Sequence, residues 1–192
     1  MDLKEHIYSV LVVSSMPKFN DSLVGILPEN QYSPIKVLKD VASARRHLLE
    51  KNYDIVIVNT PLTDDFGTEL ALDVCENGAT SVMLLVKNEH FPEINARVAP
   101  YGVLVVGKPT STNTILQSMA LMCGTRERLR RMEKKASSIE EKMEEIRIVN
   151  RAKWKLIEQR NMSEQEAHRY IEKKAMDNCV TKRVIAEEIL ED

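Results

Sequence analysis

The sequence is poor in the residues that mark several protein classes. Its three cysteines, Cys75, Cys123 and Cys179, are odd in number and far apart, and none lies in a CxxC motif. This pattern suggests neither a disulfide framework nor a zinc site. The formal net charge is only −2, so the overall charge favours no class of partner. The scattered cysteines suit a reducing cytoplasm, where we expect the protein. No apolar run approaches the length of a membrane span, so we expect no membrane segment.

Glycine and proline are also missing from a long stretch that follows Gly124. Strong helix formers such as Glu, Lys, Arg, Leu and Met dominate it, which predicts one helix from about Thr112 to about Gln159. The apolar residues of this helix recur in alternating steps of three and four, the pattern of a coiled-coil seam. The two seam positions are occupied by Leu129, Ala136, Met143 and Asn150, and by Met132, Ile139 and Ile146.

The charges beside the seam favour a parallel homodimer. Arg128 precedes the first seam position and Glu133 follows the second, so these two residues face each other across a parallel pair of helices. Lys135 and Glu140 repeat the arrangement one heptad later. Asn150 would fix the register of the pair at some cost in stability. Because the seam spans only about three heptads, a solvated single helix or a stripe packed on the chain's own domains stays open.

Ahead of this helix, short apolar segments alternate with segments of helical spacing. The predicted strands are 8–13, 35–38, 53–58, 82–86 and 103–106, and the predicted helices are 19–27, 42–51, 66–76 and 91–98. We expect Leu48 and Leu49 to face inward from their helix, and the helix at 66–76 to end at Asn77-Gly78. Continuous apolar strands separated by helices predict an α/β domain of (βα)5, flavodoxin-like order, with a parallel sheet covered on both faces.

The residues that follow the strands are informative, because such sheets place their functional groups at the carboxyl ends of the strands. The pair Lys108-Pro109 follows the fifth strand, and the run NTPLTDDFG, from Asn59 to Gly67, follows the third. Together with the order of strands and helices, these two motifs resemble the receiver domain of two-component response regulators. The resemblance implies a domain that acts as a regulatory switch.

The chemistry of a receiver is nevertheless missing from this sequence. The receiver family uses an acidic pair after the first strand to hold magnesium, and this chain has Ser14 and Ser15 there. The family uses an aspartate phosphoacceptor at the end of the third strand, where this chain has Asn59. It also has Val86 in place of a Ser or Thr after the fourth strand, and only the lysine, Lys108, is kept.

These replacements predict a domain that does not take up phosphate. Aspartyl phosphorylation needs a carboxylate nucleophile and hard oxygen ligands for magnesium, and an amide supplies neither. Asp64 and Asp65 are acidic and nearby, but they lie further along the loop. The domain is therefore interpreted as a pseudo-receiver with no phosphoacceptor, metal or cofactor, in which Lys108 is a hydrogen-bonded or solvent-facing relic.

Three helical segments end the chain, and their apolar faces predict a small three-helix bundle. The first is the end of the long helix at 146–160, the second runs from Ser163 to about Met176, and the third from about Thr181 to Leu190. Ser163 with Glu166 three residues later forms a capping box, a specific start signal. The predicted core consists of Ala167, Tyr170, Ile171, Ala175, Val184, Ile185, Ile189 and Leu190, packed on Ile148, Ala152, Leu156 and Ile157.

The same segment resembles the ANTAR domain. Its motifs read Ala152-Lys153 near the end of the long helix, Ser163 to Ala167 at the start of the next, Ala175-Met176, and Lys182 to Ala186. They follow a receiver-like domain and a coiled coil, which is the usual order of parts in that family. Trp154 departs from the pattern, because small residues are common after the Ala-Lys pair.

The resemblance implies a transcription antiterminator that binds paired hairpin loops in nascent messenger RNA and prevents terminator formation. Cationic side chains supply phosphate contacts, and aromatic rings stack on unpaired bases. The candidate RNA-binding residues are Arg151, Lys153, Trp154, Arg160, Lys174, Lys182 and Arg183. Acidic residues are nearly as numerous in this segment, so a solvated helix surface is the alternative reading of these charges.

The sequence thus divides into a pseudo-receiver at 1–123, a coiled-coil linker at 124–146 and an ANTAR domain at 147–192. We expect no enzyme, since no nucleophile–base pair or metal constellation is found. The alternatives are a DNA-binding response regulator, because three short helices can form a helix-turn-helix, and a signalling protein that acts by protein contact. The missing phosphoacceptor makes control by a partner protein a natural expectation.

Overall fold

Five parallel strands, each followed by a helix, form the first part of the computed structural model, which describes residues 6–76 and 80–191. The strands are β1 Tyr8–Val13, β2 Tyr32–Leu38, β3 Ile55–Asn59, β4 Ser81–Lys87 and β5 Leu104–Lys108. The helices that alternate with them are α1 Pro17–Ile26, α2 Val41–Glu50, α3 Thr68–Glu76, α4 Phe91–Val98 and α5 Thr112–Arg160. The sheet order is β2-β1-β3-β4-β5, which confirms the predicted (βα)5 domain.

Contacts divide the chain into two compact units, Met1–Arg131 and Met132–Asp192. The long helix α5 contributes to both, and α6 Glu164–Asp177 and α7 Lys182–Glu191 complete the second unit. No helix in the described part of the chain is both long enough and apolar enough to cross a membrane.

Both faces of the sheet are buried, because successive residues of a strand point to opposite sides. Leu11, Val56 and Leu84 lie on the face that carries α2, α3 and α4. Val12 and Ile57 lie on the opposite face, where α1 and the first turns of α5 pack. The apolar strands therefore carry two cores rather than one, as expected for a parallel sheet with helices on both sides.

Local details of the first unit depart from the sequence prediction at Leu49 and at the start of strand β2. Leu49 is 88 % exposed, so its predicted inward position is wrong. Leu48 packs against the core. Leu49 does not, because successive residues of a helix are rotated by about 100° around its axis. Strand β2 begins at Tyr32 rather than Ile35, since pairing with Tyr8 of β1 extends it. The predicted Asn77-Gly78 helix end lies outside the described residues.

The second unit has the small core that the sequence predicted, with one exchange. Ala152, Leu156, Ala167, Ile171, Ala175, Ile185, Ala186 and Ile189 are buried together. Val184 was assigned to this core but is 39 % exposed, and Ala186 is fully buried instead. The capping box is confirmed, because Ser163 and Glu166 exchange both expected hydrogen bonds. Helix α6 ends in a turn where Cys179 adopts a left-handed φ of 53°.

A buried carboxylate ties α5 to the amino-terminal end of the sheet. Asp54, just before β3, accepts hydrogen bonds from the backbone N–H and the hydroxyl of Ser9, each over 3.0 Å. Its other oxygen accepts from Arg126 Nε over 3.1 Å and from Arg130 Nη2 over 2.8 Å. Arg130 also pairs with Glu127 over 2.6 Å. The Asp54 side chain is only 14 % exposed, so these contacts are shielded from water.

The titration of Asp54 reflects this setting. Burial alone would raise its pKa, but the hydrogen bonds from Ser9 and Arg126 and the charge of Arg126 together hold the pKa below its ordinary value. A carboxyl group whose pKa is lowered by folding stabilises the folded state above the pKa of the unfolded chain. Its contribution is lost as the pH falls through the folded-state pKa.

We predict that Asp54→Asn lowers the stability of the first unit by about 3–5 kcal/mol, because it removes the carboxylate charge that Arg126 and Arg130 share in a setting largely shielded from water. Urea unfolding of the full chain at neutral pH, compared with the wild type, measures the loss. Asp21→Asn, at an exposed position of α1, is the matched control and should change stability little. As the pH is lowered below the ordinary carboxyl range, the difference in the free energy of unfolding between wild type and Asp54→Asn should become smaller. A difference that does not depend on pH would show that the charge of Asp54 is not what stabilises the first unit.

Candidate functional site

The carboxyl ends of β1, β3 and β5 bring Ser14, Asn59 and Lys108 into one hydrogen-bonded chain. The Asn59 amide nitrogen donates to Ser14 Oγ over 3.0 Å, and the amide oxygen accepts from Lys108 Nζ over 2.6 Å. Lys108 also donates to the backbone oxygen of Thr60. Because an ammonium group can only donate, it fixes the orientation of the Asn59 amide. Ser14 and Asn59 are fully buried, so this chain is part of the packed edge of the sheet.

The residues at this edge do not fit a magnesium ion. Ser14 and Ser15 present hydroxyl groups where a hard divalent cation prefers carboxylates. Val86, at the end of β4, is fully buried and apolar. Across residues 6–76 and 80–191, no group of three or more His, Cys, Asp or Glu side chains is arranged to hold a metal.

The two nearby aspartates are engaged in local backbone contacts. Asp64 accepts from the N–H groups of Val41 over 2.9 Å and Ala42 over 3.0 Å, at the start of α2. The hydrogen bond from Val41, followed by that from Ala42, holds the pKa of Asp64 below its ordinary value. Asp65 accepts from the N–H of Gly67 over 2.6 Å. Both carboxylates therefore shape the loop after β3.

Lys108 places a positive charge in a half-buried setting with neutral acceptors. Burial lowers the pKa of its ammonium group, and the charge of Lys87 lowers it further. In the part of the chain that the structure describes, no carboxylate forms an ion pair with Lys108. The relic predicted from the sequence is therefore a hydrogen-bonded one, and the Asn59 amide beside it cannot act as a nucleophile.

The end of α5 presents an aromatic ring and a cation on its outer surface. Trp154 is 65 % exposed, and Arg151, three residues earlier, is also exposed. Residues three apart are neighbours on a helix surface. Ala152 and Leu156 face the other way and are buried in the core of the second unit. This outer surface offers a flat ring for stacking next to a guanidinium group.

Two other candidates on α5 are held by neighbours from α6. Lys153 donates to Glu164 over 3.1 Å, and its side chain is 15 % exposed. Arg160 Nη1 donates to the Tyr170 hydroxyl over 3.1 Å, and its guanidinium lies 5.4 Å from the centre of that ring. Lys153 and Arg160 thus connect the end of α5 to α6, and Tyr170 packs against the core with its ring partly buried.

The three candidate cations around α6 and α7 are paired with carboxylates. Lys174 contacts Glu188 over 3.0 Å, Arg183 contacts Glu187 over 2.8 Å, and Lys182 contacts Glu172. The hydrogen bond and charge of Lys182 lower the pKa of Glu172, and the hydrogen bond and charge of Glu187 raise that of Arg183. These are surface pairs, which contribute little to stability and exchange partners readily.

Sequence reasoning located these cations but missed their partners. Lys182 and Glu172 are ten residues apart on different helices, as Lys174 and Glu188 are fourteen apart. No helical spacing predicts such pairs, because they depend on how α6 packs on α7. The third pair, Arg183 with Glu187, has the i,i+4 spacing of one helix and could be predicted locally.

The predicted seam is an exposed apolar stripe in the single chain. Met132, Ile139, Met143 and Ile146 are between 50 % and 60 % exposed. Ala136 and Asn150 are exposed as well, whereas Leu129 is half-buried. The alternative in which this stripe packs on the chain's own domains is not observed for the four large side chains.

Three comparisons place these observations among known proteins. Residues 137–190 match the model of the ANTAR domain family. The chain is 22 % identical over 182 residues to the "Transcriptional regulatory protein PdtaR" of Mycobacterium tuberculosis, covering 95 % of this chain and 89 % of that protein.

Solved structures resemble the chain in fold alone. The signal receiver domain of an HD domain-containing protein from Pseudomonas fluorescens Pf-5 has a TM-score of 0.58 and 19 % identity, covering 65 % of this chain and 93 % of that one. A structure described as adenylate cyclase from Rhodopirellula baltica has a TM-score of 0.62 and 12 % identity, covering 69 % and 98 %. Residues 137–190 thus form an ANTAR domain, and the domain ahead of it has the fold of response-regulator receivers.

Proposed function

We propose that this protein is a cytoplasmic transcription antiterminator that binds paired hairpin loops in nascent messenger RNA and prevents terminator formation. The match of residues 137–190 to the ANTAR family carries the proposal. The similarity of nearly the whole chain to a protein named as a transcriptional regulator supports it. The regulatory fold of the first domain, with no phosphoacceptor, agrees with a protein that controls expression rather than one that catalyses a reaction.

The exposed surface at the end of α5 is the best candidate for reading unpaired bases. RNA loops expose base faces that stack on aromatic rings, and Trp154 is the one tryptophan of the chain. Arg151 beside it has no ion pair within the described residues, so its charge is available to a phosphate. A stacking ring next to a free cation suits a single-stranded loop better than a duplex groove.

The paired cations form the proposed phosphate-binding part of the surface. When Lys174, Lys182 or Arg183 binds RNA, it exchanges an exposed carboxylate for a phosphate oxygen. This exchange needs little energy, since exposed ion pairs are weak. The glutamates left behind repel RNA that does not place a phosphate at each cation, so they favour one geometry over non-specific binding. Lys153 and Arg160 are proposed to hold α6 in position and to contact RNA at its edge.

The exposed stripe of α5 is proposed to pair with a second copy of the chain. Each large apolar side chain that a coiled coil buries contributes about 1.5–3 kcal/mol. A parallel arrangement also places Arg128 opposite Glu133 and Lys135 opposite Glu140 of the second helix. A dimer would carry two ANTAR domains, so two hairpins of one transcript would bind with a gain in effective concentration.

The first domain is proposed to act through protein contact. Asn59, Ser14 and Lys108 already form a closed network, and none of them supplies the carboxylate nucleophile that aspartyl phosphorylation needs. A partner protein that binds this domain is therefore the proposed source of control over RNA binding.

The RNA-binding proposal predicts that Trp154→Ala weakens binding to a two-hairpin RNA by about 1–3 kcal/mol, the contribution of one stacked base. The loss should be smaller for a loop-scrambled RNA, because stacking on the correct loop is then already missing. Tyr101→Ala, at an exposed aromatic residue of the first unit, is the matched control. In the wild type, quenching of Trp154 fluorescence during the titration should report the contact directly.

Arg151→Ala should reduce the slope of log affinity against log salt by about 0.7–0.9, as expected when one phosphate contact is removed. Arg46→Ala, an exposed arginine of α2, should leave the slope unchanged. A duplex DNA of equal length serves as competitor in every titration. Equal affinity for this DNA and both RNAs would refute the antiterminator and favour the DNA-binding alternative.

The dimer proposal predicts that Ile139→Glu converts the protein to monomers, because an unpaired charge in an apolar seam costs several kcal/mol by order of magnitude. Sedimentation of the full chain measures the change in mass. Ser138→Glu introduces the same charge one residue away, on the outer face of the helix, and should leave the dimer intact. A wild type that sediments as a monomer at about ten micromolar would contradict constitutive pairing.

The pseudo-receiver proposal predicts no phosphate transfer to the first domain. After incubation with acetyl phosphate and magnesium, the intact mass of the chain should stay unchanged, since Asn59 supplies no carboxylate nucleophile. A response regulator with an intact acidic site is the positive control for the reagent. A stoichiometric phosphate adduct that hydroxylamine removes would contradict the proposal, and Asp64 and Asp65 would then be the candidate phosphoacceptors.

A further inference from the structure

An open groove lies between helix α1 and the end of strand β2 in the first unit, and it has a volume of about 600 Å³. Asn20, Asp21 and Val24 line it from α1, and Val37 and Lys39 line it from the other side. Its size is that of sites that bind small molecules. From its lining we infer that this groove binds a small zwitterion with an apolar part, such as an aliphatic amino acid or a dipeptide.

The two charged side chains of the groove have opposite signs and belong to different walls. Asp21 lies on α1, Lys39 directly follows β2, and both are exposed. Neither forms an ion pair with another residue in the part of the chain that the structure describes. A ligand with both charges pairs with each wall at once, whereas an ion of one sign is attracted by one wall and repelled by the other. The groove therefore favours a zwitterion over a simple anion or cation.

The surface between these charges is apolar and has room for a side chain. Val24 on α1 is 41 % exposed, and Val37 on β2 is half-buried. Gly25 lines the groove next to Val24, and a Cβ atom at its position would meet no other atom within 4 Å. An aliphatic side chain of the ligand would cover the two valines and be removed from water, which favours binding.

The amide of Asn20 adds an acceptor beside Asp21. Its nitrogen donates to the backbone oxygen of Ser14 over 3.3 Å, and this contact determines which end of the amide is the oxygen. Asn20 Oδ1 is buried and has no hydrogen-bond partner among the described residues. Because buried polar atoms normally have a partner, this oxygen is a natural acceptor for an ammonium group that enters between α1 and β2.

The inferred ligand supplies the first domain with an input that does not need phosphoryl transfer. It contacts residues of α1 and β2, and neither Asn59 nor Lys108 lines the groove. Ligand binding there is therefore independent of the residues that end β3 and β5, and it does not rest on RNA binding by the second unit.

The test is a titration of the full chain with leucine and with leucylleucine, followed by NMR of the valine methyl groups. The signals of Val24 and Val37 should shift in a saturable way, whereas those of Val184, an exposed valine of the second unit, should not move. The two probes differ in the distance between ammonium and carboxylate, so the tighter one shows which length fits. N-acetylleucine and leucinamide each lack one charge and should bind about tenfold more weakly, as expected when one charged hydrogen bond is lost.

Three substitutions should weaken binding of the zwitterion. Asp21→Asn and Lys39→Gln each remove one charged wall and should reduce the affinity about tenfold. Gly25→Leu keeps both charges and fills the open space of the groove, so it should abolish binding. Leucine is more favourable than glycine within a helix, so this variant decides the matter if a charge variant is unstable. Lys36→Gln, at an exposed position of β2 outside the groove, is the matched control and should bind as the wild type does.

A saturable shift with either zwitterion that Gly25→Leu removes supports the site. Two results would overturn it: no shift of Val24 and Val37 at about 10 mM of either probe, ten times a millimolar dissociation constant, or equal affinity of wild type and Gly25→Leu. Equal affinity for leucine, N-acetylleucine and leucinamide would likewise refute recognition of a zwitterion. Because the groove lies in the first unit, none of these results bears on RNA binding by the ANTAR domain.

Discussion

The buried carboxylate of Asp54 is the interaction on which the course of the long helix depends. It receives two hydrogen bonds from Ser9 in β1 and two from Arg126 and Arg130 in α5. The helix is also held to the sheet by the apolar contacts of Ile115 and Met119 and by a hydrogen bond from Ser81 Oγ to the backbone oxygen of Met122. Apolar packing tolerates small rotations, whereas a guanidinium hydrogen bond to a fixed oxygen does not. The rotation of α5 at the end of the first unit is therefore set by Asp54.

The contacts of Arg126 and Arg130 with Asp54 lie close to Arg131, where the chain divides into its two units. They hold α5 to the sheet up to the end of the first unit. The exposed stripe from Met132 to Ile146 belongs to the second unit and is the part of α5 that is proposed to form the dimer.

The opposite end of the sheet carries a lysine beside neutral side chains. Lys108 reaches the amide of Asn59, which ends β3, and Ser14 lies on the other side of this amide. The result is a closed chain of neutral acceptors around one ammonium group. An amide and a hydroxyl group supply no carboxylate for a magnesium ion or for aspartyl phosphorylation. In the ANTAR domain, by contrast, the cations are paired with acidic groups, since each of Lys174, Lys182 and Arg183 contacts a glutamate.

The sequence alone determined the order of strands and helices, the two-sided sheet and the ANTAR motifs. Each of these rests on a local signal: continuous apolar strands, the capping box at Ser163, and the spacing of Ala152, Ala167 and Ala175. The seven-residue repeat after Gly124 is equally local, because it needs only the period of one helix. The replacement of the phosphoacceptor by Asn59 could also be read directly from its position after the third strand.

Only the tertiary structure decided which charged groups meet. Asp54 and Arg130 are 76 residues apart, and Asn59 and Lys108 are 49 apart, so no periodicity connects them. The partners of Lys174 and Lys182 likewise follow from the packing of α6 on α7. The burial of Ala186 instead of Val184 has the same cause, because the packing of α7 in the bundle decides which of its faces is covered. Local patterns fix the elements of a fold, whereas long-range contacts between side chains depend on packing geometry that no single segment contains.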